Sequence, residues 1–413
     1  MTANSSSPDT TSPKKRQLSA MEFTFLTATL MSIVAVSIDA LLPALGIISN
    51  DLMVEDPNRT QLIISMLFLG MALGQLVCGP LSDSMGRKPI LYTGLGIYLI
   101  GTIFCYMATD LDSLLIGRFI QGLGVAGPYI SAISLVRDQY KGNDMAKIMS
   151  LVMMIFILVP ALAPSIGQII LLFSHWHGIF VLYMLYAFII FLWIYTRLDE
   201  TLPKEKRIPF TKDGFIHGFK EVVTNKSTVS LTIAMGTIFG CLIGYLNSSQ
   251  QIFQEQFNTG KLFSVYFGVL ALLLGVASLM NSRFVQRLGM HLIATRAFKA
   301  VILSSSIFIV IQLFVEIQLW MFMLYVGSLF FSFGLIFGNL NAMAMEPMGH
   351  VAGIASAVIG STSSIMSLTI GTIIGQLYNG NTIPMTIGFL IMGSLALSLL
   401  IYAEKHKSPQ AID

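Results

Sequence analysis

Apolar runs of membrane-crossing length recur along the whole chain, at residues 23–48, 61–81, 89–109, 113–136, 146–173, 176–196, 227–252, 262–282, 292–314, 319–345, 351–377 and 383–402. About 20 apolar residues in a helix cross the hydrocarbon of a bilayer. A backbone in lipid must satisfy its own hydrogen bonds, so each run is predicted to be a helix, not an open strand. The pattern therefore predicts an all-α membrane protein of twelve transmembrane helices in two six-helix bundles. The longest hydrophilic stretch sets the boundaries: residues 1–21 are a polar tail, 22–197 the first bundle, 198–225 a linker, 226–403 the second bundle and 404–413 a closing tail. The first tail is rich in Ser, Thr and Pro and too polar to fold alone. The apolar run behind it is too long for a signal-peptide core and lacks a small-residue cleavage site, so it is read as a retained span.

Composition agrees with this picture. Of 413 residues, 54% are hydrophobic and 11% charged, against about 25% charged in a soluble domain. A net charge of +3 is too small to suggest a nucleic-acid partner. The distribution of the basic residues is more telling. With the N-terminus in the cytoplasm, 21 of the 24 Lys and Arg fall in cytoplasmic tails and loops or at the cytoplasmic ends of spans, and only Arg59, Arg118 and Lys261 do not. That asymmetry is the positive-inside pattern, and it predicts that both termini and the linker are cytoplasmic. Cys78, Cys105 and Cys241 lie inside apolar runs and form no disulfide or metal pattern. No phosphate-binding Gly-rich loop is present, and His175 and His177 have no third ligand near them in sequence. An enzyme, a metal site and a bound cofactor are accordingly not expected.

A weak internal repeat supports two equivalent halves. Gly79 to Lys88 follows the second span, and Ser282 to His291, with a similar Gly and basic pattern, follows the eighth, 203 residues later. Repeated halves are an architecture of secondary transporters. In the first copy, Gly79 and Gly86 permit close backbone approach, Asp83 can cap a helix or pair with a cation, and Arg87 and Lys88 hold the loop inside. In the fourth span Arg118 lies beside a small-residue face with Gln121, Gly122 and Gly124. An intramembrane arginine is costly and needs a carboxylate, water or substrate next to it. Asp39 in the first span is the expected partner. Helical rise puts Asp39 about 5 Å and Arg118 about 10 Å outside the midplane in the same leaflet, a difference an arginine can bridge. Pro160, Pro164 and Gly167 in the fifth span free carbonyls and thin the helix surface, as a hinge at the contact between the halves would require.

These segments resemble the Major Facilitator Superfamily, and in particular its Bcr/CflA drug:proton antiporter branch. The loop from Gly79 to Lys88 resembles the superfamily's signature loop, departing at Ser84, where a cation is usual. Arg118, Gln121, Gly122 and Gly124 match the fourth-helix signature, in which the arginine is implicated in proton coupling. Asp39 to Leu45 resembles the branch's D-x-x-L-P-A-L, Pro160 to Gly167 its antiport signature, Asp199 to Pro203 the E-T-L-P of drug exporters, and Pro347 to Ser356 a further branch motif. The resemblance implies a proton-coupled exporter of small organic molecules in the cytoplasmic (inner) membrane, working as a monomer by alternating access, with gating at the signature loop. A dedicated exporter of one metabolite, or a non-transporting receptor on the same scaffold, are the competing readings. Glu346, at the inner end of the tenth span, is read first as an interfacial charge and second as a coupling carboxylate. For the substrate cavity the candidates are Gln121, Tyr129, Tyr245, Asn247, Gln250, Asn339 and Asn341, polar groups that could bind cargo or bond across helices.

Overall fold

The computed structural model describes residues 18–140, 142–207 and 212–406, and the described residues contain helices and no strand. The membrane-length helices are α1 (Ala20–Asp39), α2 (Leu62–Met85), α3 (Arg87–Tyr106), α4 (Leu111–Gln139), α5 (Gly142–Phe173), α6 (His177–Arg197), then α7 (Lys226–Gln250), α8 (Phe263–Leu288), α9 (Met290–Phe314), α10 (Leu319–Met345), α11 (Ala352–Gln376) and α12 (Ile383–Lys405). Eleven of them are long and apolar enough to cross a membrane over their described residues, and the fifth, α5, has an apolar described part from Leu158 to Phe173. Large apolar side chains such as Phe104, Leu172, Phe188, Leu303 and Leu324 stand exposed around the outside, while Ser, Thr and Gln side chains are buried within. That inversion of a soluble protein's surface is what lipid as solvent selects.

Short polar caps start the helices. Ser19 Oγ accepts the Glu22 amide ahead of α1, Asp110 that of Ser113 ahead of α4, and Asn225 that of Thr228 ahead of α7. The carboxyl of Asp110 is held below its usual range by the Ser113 amide. Glycine opens the two copies of the repeated loop: Gly86 before α3 has φ +105° and Gly289 before α9 has φ +78°, a backbone conformation that a Cβ makes costly. The internal repeat thus has a backbone counterpart at equivalent positions.

Within the first half, α4 packs between α2 and α3 at backbone contact. A Cβ on Gly122 would fall on the Leu67 carbonyl and one on Gly124 on the Tyr98 amide, so only glycine lets these helices meet. The two halves face one another through α2 against α11 and α5 against α8. The linker is not merely hydrophilic chain. Residues Lys212–Thr224 form a helix that packs on α11, with Gly218 set against Ile354. Its apolar residues, Ile216, Phe219, Val222 and Val223, recur at helical spacing inside a stretch that is polar on average.

The fifth-span expectation needs correcting. Gly167 does not lie between the halves; it packs α5 onto the Ala40 backbone just beyond α1, in its own half. The contact with the second half falls one and a half turns earlier on α5, where Gly268 of α8 meets the Ala161 carbonyl. Pro164 is buried and Pro160 half-buried in the same stretch.

Candidate functional site

The first site is a polar cluster inside the first half, built around the end of α1. Pro43 cannot continue a helix, and the chain passes into a tight turn at Leu42–Ala44. At the end of α1 the Leu41 amide turns back to Ile38, and the carbonyl of Ser37 is left for side chains. Two take it: Arg118 Nη2 at 2.9 Å and Tyr183 Oη at 3.2 Å. Arg118 is fully buried, and its Nε donates to the Ile63 carbonyl at 3.1 Å while Nη1 reaches Gln121 Oε1. Gln121 in turn donates to Thr102 Oγ1 at 2.8 Å, and Ser37 Oγ meets Tyr98 Oη at 2.7 Å.

Two expectations change here. Arg118 reaches α1 two residues before Asp39, but its donors are used by carbonyls and an amide, and it forms no ion pair with Asp39. The helix break decided this, because it presents a free carbonyl directly in the arginine's path. Gln121 is not part of a cavity wall either, since both ends of its amide are spent inside the cluster. Asp39 itself is buried, at 5% exposure, and makes no hydrogen bond or ion pair with the described residues. It interacts electrostatically with Tyr183 of its own half and with Tyr245 across the interface on α7. Tyr245 is fully buried against Phe267 and Phe330, and its hydroxyl has no partner.

The second site is the signature loop at the end of the bundle that carries the termini. Arg87 is 2% exposed and binds Asp138 at the end of α4 through Nε at 2.8 Å and Nη2 at 3.2 Å. Its Nη1 donates to Asp83 at 2.7 Å and to Ser82 Oγ at 3.0 Å. Asp83 also meets Arg137 at 3.4 Å, while Ser84, the departure from the pattern, simply caps back to the Leu81 carbonyl. Glu200 completes the loop: its carboxylate accepts the amides of Arg87 at 2.9 Å and Lys88 at 3.1 Å, capping α3 from 112 and 113 residues away. Lys88 Nζ reciprocates on the Leu198 carbonyl at 2.6 Å, and Thr201 donates to Asp138. Nothing in the sequence assigns a role to Asp138 or to Glu200. The E-T-L-P text was visible, yet nothing in it says which helix it caps.

The third site joins the halves at the opposite end, where the α1–α2 connection meets the ends of α7 and α11. Asn58 donates to the carbonyls of Tyr378 at 2.9 Å and Gln376 at 3.2 Å, and Gln376 returns a bond to the Asn58 carbonyl at 2.7 Å. Gln251 donates to Asn58 Oδ1 at 2.9 Å and accepts from Gln61. Ser65 Oγ and Thr372 Oγ1 lie 3.0 Å apart, and Asn247 donates to Ser65 Oγ at 3.2 Å and to the Gly371 carbonyl at 3.3 Å. This row of neutral amides and hydroxyls clasps the two halves together at the end remote from the termini.

The remaining candidates scatter. Gln250 is buried where the turn after α1 passes, close to Gly46, and donates to Gln254. Asn339 exchanges bonds with Asn281, tying α10 to α8, which is a bond across helices. Tyr129 is half-buried on α4, and Asn341 and Glu346 are exposed toward the terminal end. Gly79 faces Ala357 of α11. Among the described residues no group of three or more His, Cys, Asp or Glu is arranged to hold a metal ion.

Twelve helices in two halves, with the signature loop and the fourth-helix arginine at these positions, invite comparison with known transporters. The model of the Major Facilitator Superfamily matches residues 24–372. The chain belongs to that superfamily. As a superfamily transporter it is 29% identical over 384 residues to the MFS-type transporter YdgK of Bacillus subtilis, covering 90% of this chain and 93% of that one. It is 28% identical to the bicyclomycin resistance protein homolog of Haemophilus influenzae (88% and 91% covered) and 26% identical to the multidrug resistance protein MdtL of Klebsiella pneumoniae (88% and 91%). Among solved structures, the xylose transporter XylE from E. coli in a partially occluded inward-open conformation superposes with a TM-score of 0.69 at 11% identity, covering 94% of this chain and 97% of that one. The human organic anion transporter MFSD10 superposes with a TM-score of 0.68 at 15% identity, covering 94% and 100%. The superfamily transporter is therefore a multi-pass membrane protein that moves small molecules, not an enzyme.

Proposed function

We propose that this transporter is a proton-coupled exporter of small organic molecules, of the Bcr/CflA type, working as a monomer in the bacterial inner membrane with both termini and the linker in the cytoplasm. The observation that carries the reading is Asp39: a buried carboxylate without an ion pair, at the end of α1, two residues from the Ser37 carbonyl that the buried Arg118 grips. A carboxylate paired tightly to Arg118 would stay charged through the cycle. One left beside the interface meets water and cargo in one state and apolar surroundings in the other, so its proton affinity changes as the halves rock. Because Arg118 grips the Ser37 carbonyl, a shift of the α1 break on protonation is felt at α4 directly. The relatives named for bicyclomycin and multidrug resistance favour drug-like cargo. With the termini inside, the clasp at Asn58 and Gln251 would lie at the outer end.

The test is flux in proteoliposomes under an imposed pH gradient, against a chemically diverse panel of organic cations and neutral drugs. Parent protein is expected to drive uphill transport of several of them, and Asp39→Asn to abolish the uphill part while cargo binding persists. Full uphill transport by Asp39→Asn across a range of pH would move the coupling carboxylate elsewhere, Glu346 being next. Transport of one metabolite alone would favour a dedicated exporter, and binding without flux a receptor.

A further inference from the structure

The helix in the connection between the halves, Lys212–Thr224, buries only part of its apolar side. At about 100° per residue, Gly218, Val222, Phe219, Val223 and Ile216 follow one another round the helix as one arc. The edge of that arc at Gly218 and Val222 is buried, with Gly218 set against Ile354 of α11. Along the other edge Ile216 is 60%, Val223 46% and Phe219 44% exposed. Single exposed apolar side chains are ordinary on any protein, but a stripe at i, i+3 and i+7 continuing from a packed edge marks a surface that another apolar phase covers.

The position of the helix says which phase. Asn225 alone separates Thr224 from Lys226, the first residue of α7. The continuous span from Lys226 to Gln256 has 31 residues, about 46 Å of helix, against about 40–45 Å for a bilayer with its headgroups. Lys226 therefore stands at headgroup level, and so does the end of the linker helix joined to it. The other anchor is also the end of a span, since Ile354 lies in the first turn of α11. Two exposed lysines flank the stripe, Lys220 on the same helix and Lys226 just beyond it. A lysine at such a place lays its stem along apolar surface and carries its ammonium to lipid phosphates.

We propose that the linker helix lies on the membrane, with the edge formed by Ile216, Phe219 and Val223 sunk into the interface of a phospholipid bilayer and Lys220 and Lys226 among its phosphates. The surface belongs to the second half and its connection alone, so the proposal holds whichever side of the membrane carries the termini and whatever the cargo or its coupling.

Nitroxides attached at Ile216→Cys and at Val223→Cys test it, each in the full-length protein carrying Cys78→Ser, since Cys105 and Cys241 are buried. The labelled proteins are reconstituted into vesicles of phosphatidylethanolamine and phosphatidylglycerol, and collision with oxygen is compared with collision with a water-soluble nickel chelate. Both nitroxides should favour oxygen and read a depth of about 5–10 Å into the boundary between headgroups and acyl chains. A nitroxide at Thr224→Cys, about 100° further round on the polar side, should favour nickel. Nickel collision at 216 and 223 equal to that at 224 would put the stripe in water and overturn the proposal. Protection from both reagents would put it against protein, the first half or a second copy, and would overturn it as well.

Discussion

Replacing Arg87 by Gln should be among the most damaging single changes at the surface loops. The side chain is 2% exposed and spends its donors on Asp138, Asp83 and Ser82. Breaking a buried ion pair by removing one partner costs about 3–5 kcal/mol, because the other charge is left without compensation. Here the partners are partly rescued. Asp138 is 11% and Asp83 25% exposed, and Asp83 keeps Arg137 as a second cation. That places Arg87→Gln at the low end, about 3 kcal/mol, with most of it owed to the two-pronged contact with Asp138. A double-mutant cycle with Asp138→Asn isolates that contact, and a coupling of about 1.5–3 kcal/mol is expected, the range of hydrogen bonds to charged groups. Arg87→Lys should recover little, since a point charge cannot span both oxygens of Asp138 and reach Asp83 together. The measurement is reversible unfolding in mixed micelles for the parent, both single variants and the double. A coupling below about 0.5 kcal/mol, the level of an exposed surface pair, would refute the claim that this arginine binds the ends of α2, α3 and α4 into one unit.

Other outcomes follow from the same geometry. Gly122→Val should prevent folding, because its side chain falls on the Leu67 backbone, whereas Gly96→Ala, which points into open space, should express like the parent; detergent-extracted yield distinguishes them. The Ser65→Cys, Thr372→Cys pair, whose native oxygens are 3.0 Å apart, should cross-link under oxidant, stop transport, and recover with reductant; free turnover of the cross-linked form would contradict alternating closure at this end. Asp110 has its pKa lowered by folding, so its cap on α4 is fully present above the unfolded value near 3.9 and is lost as pH falls through the lower folded value. Asp110→Asn should therefore lower the melting temperature at neutral pH and make no difference well below pH 3, and an equal effect at both would exclude the charge as the cause.

The spans were legible because lipid leaves one signal, the length of an apolar run, and helix ends fall where charged, glycine or capping residues stand. That Arg118 reaches the end of α1 close to Asp39 was legible too, but the acceptor it takes was not. Which acceptor Arg118 takes depends on the Ser37 carbonyl, left free where the Leu41 amide bonds Ile38 instead at the end of α1, and no spacing rule counts free carbonyls. Glu200 was hidden for a related reason: its cap on α3 joins segments more than a hundred residues apart. The clasp was half visible, as Asn247 and Gln250 stood out near the end of the seventh span while Asn58 passed for an ordinary loop residue and Gln61 for the start of the second span. The linker helix escaped because its few apolar residues are diluted by the charges around them.

The anchoring of Glu200 changes the arithmetic of the connection between the halves. The hydrophilic stretch runs from Leu198 to Asn225, but its start is bound to the α3 loop as far as Leu202, whose amide also returns to Glu200, and its end is a helix seated on α11. Beyond Leu202, Lys204–Lys206 make a short helical turn and the Arg207 guanidinium lies beside Glu200 at Gly86, so four residues of sequence, 208–211, separate this anchored segment from the linker helix, a span of at most about 15 Å. A chain that short keeps each bundle at a high effective concentration for the other, and tension in it is delivered to Glu200, at the foot of α3, not to a helix in the membrane. Flexible residues inserted within 208–211 should thus be absorbed as slack, whereas the same insertion between Leu198 and Glu200 would draw the carboxylate off α3 and uncap it.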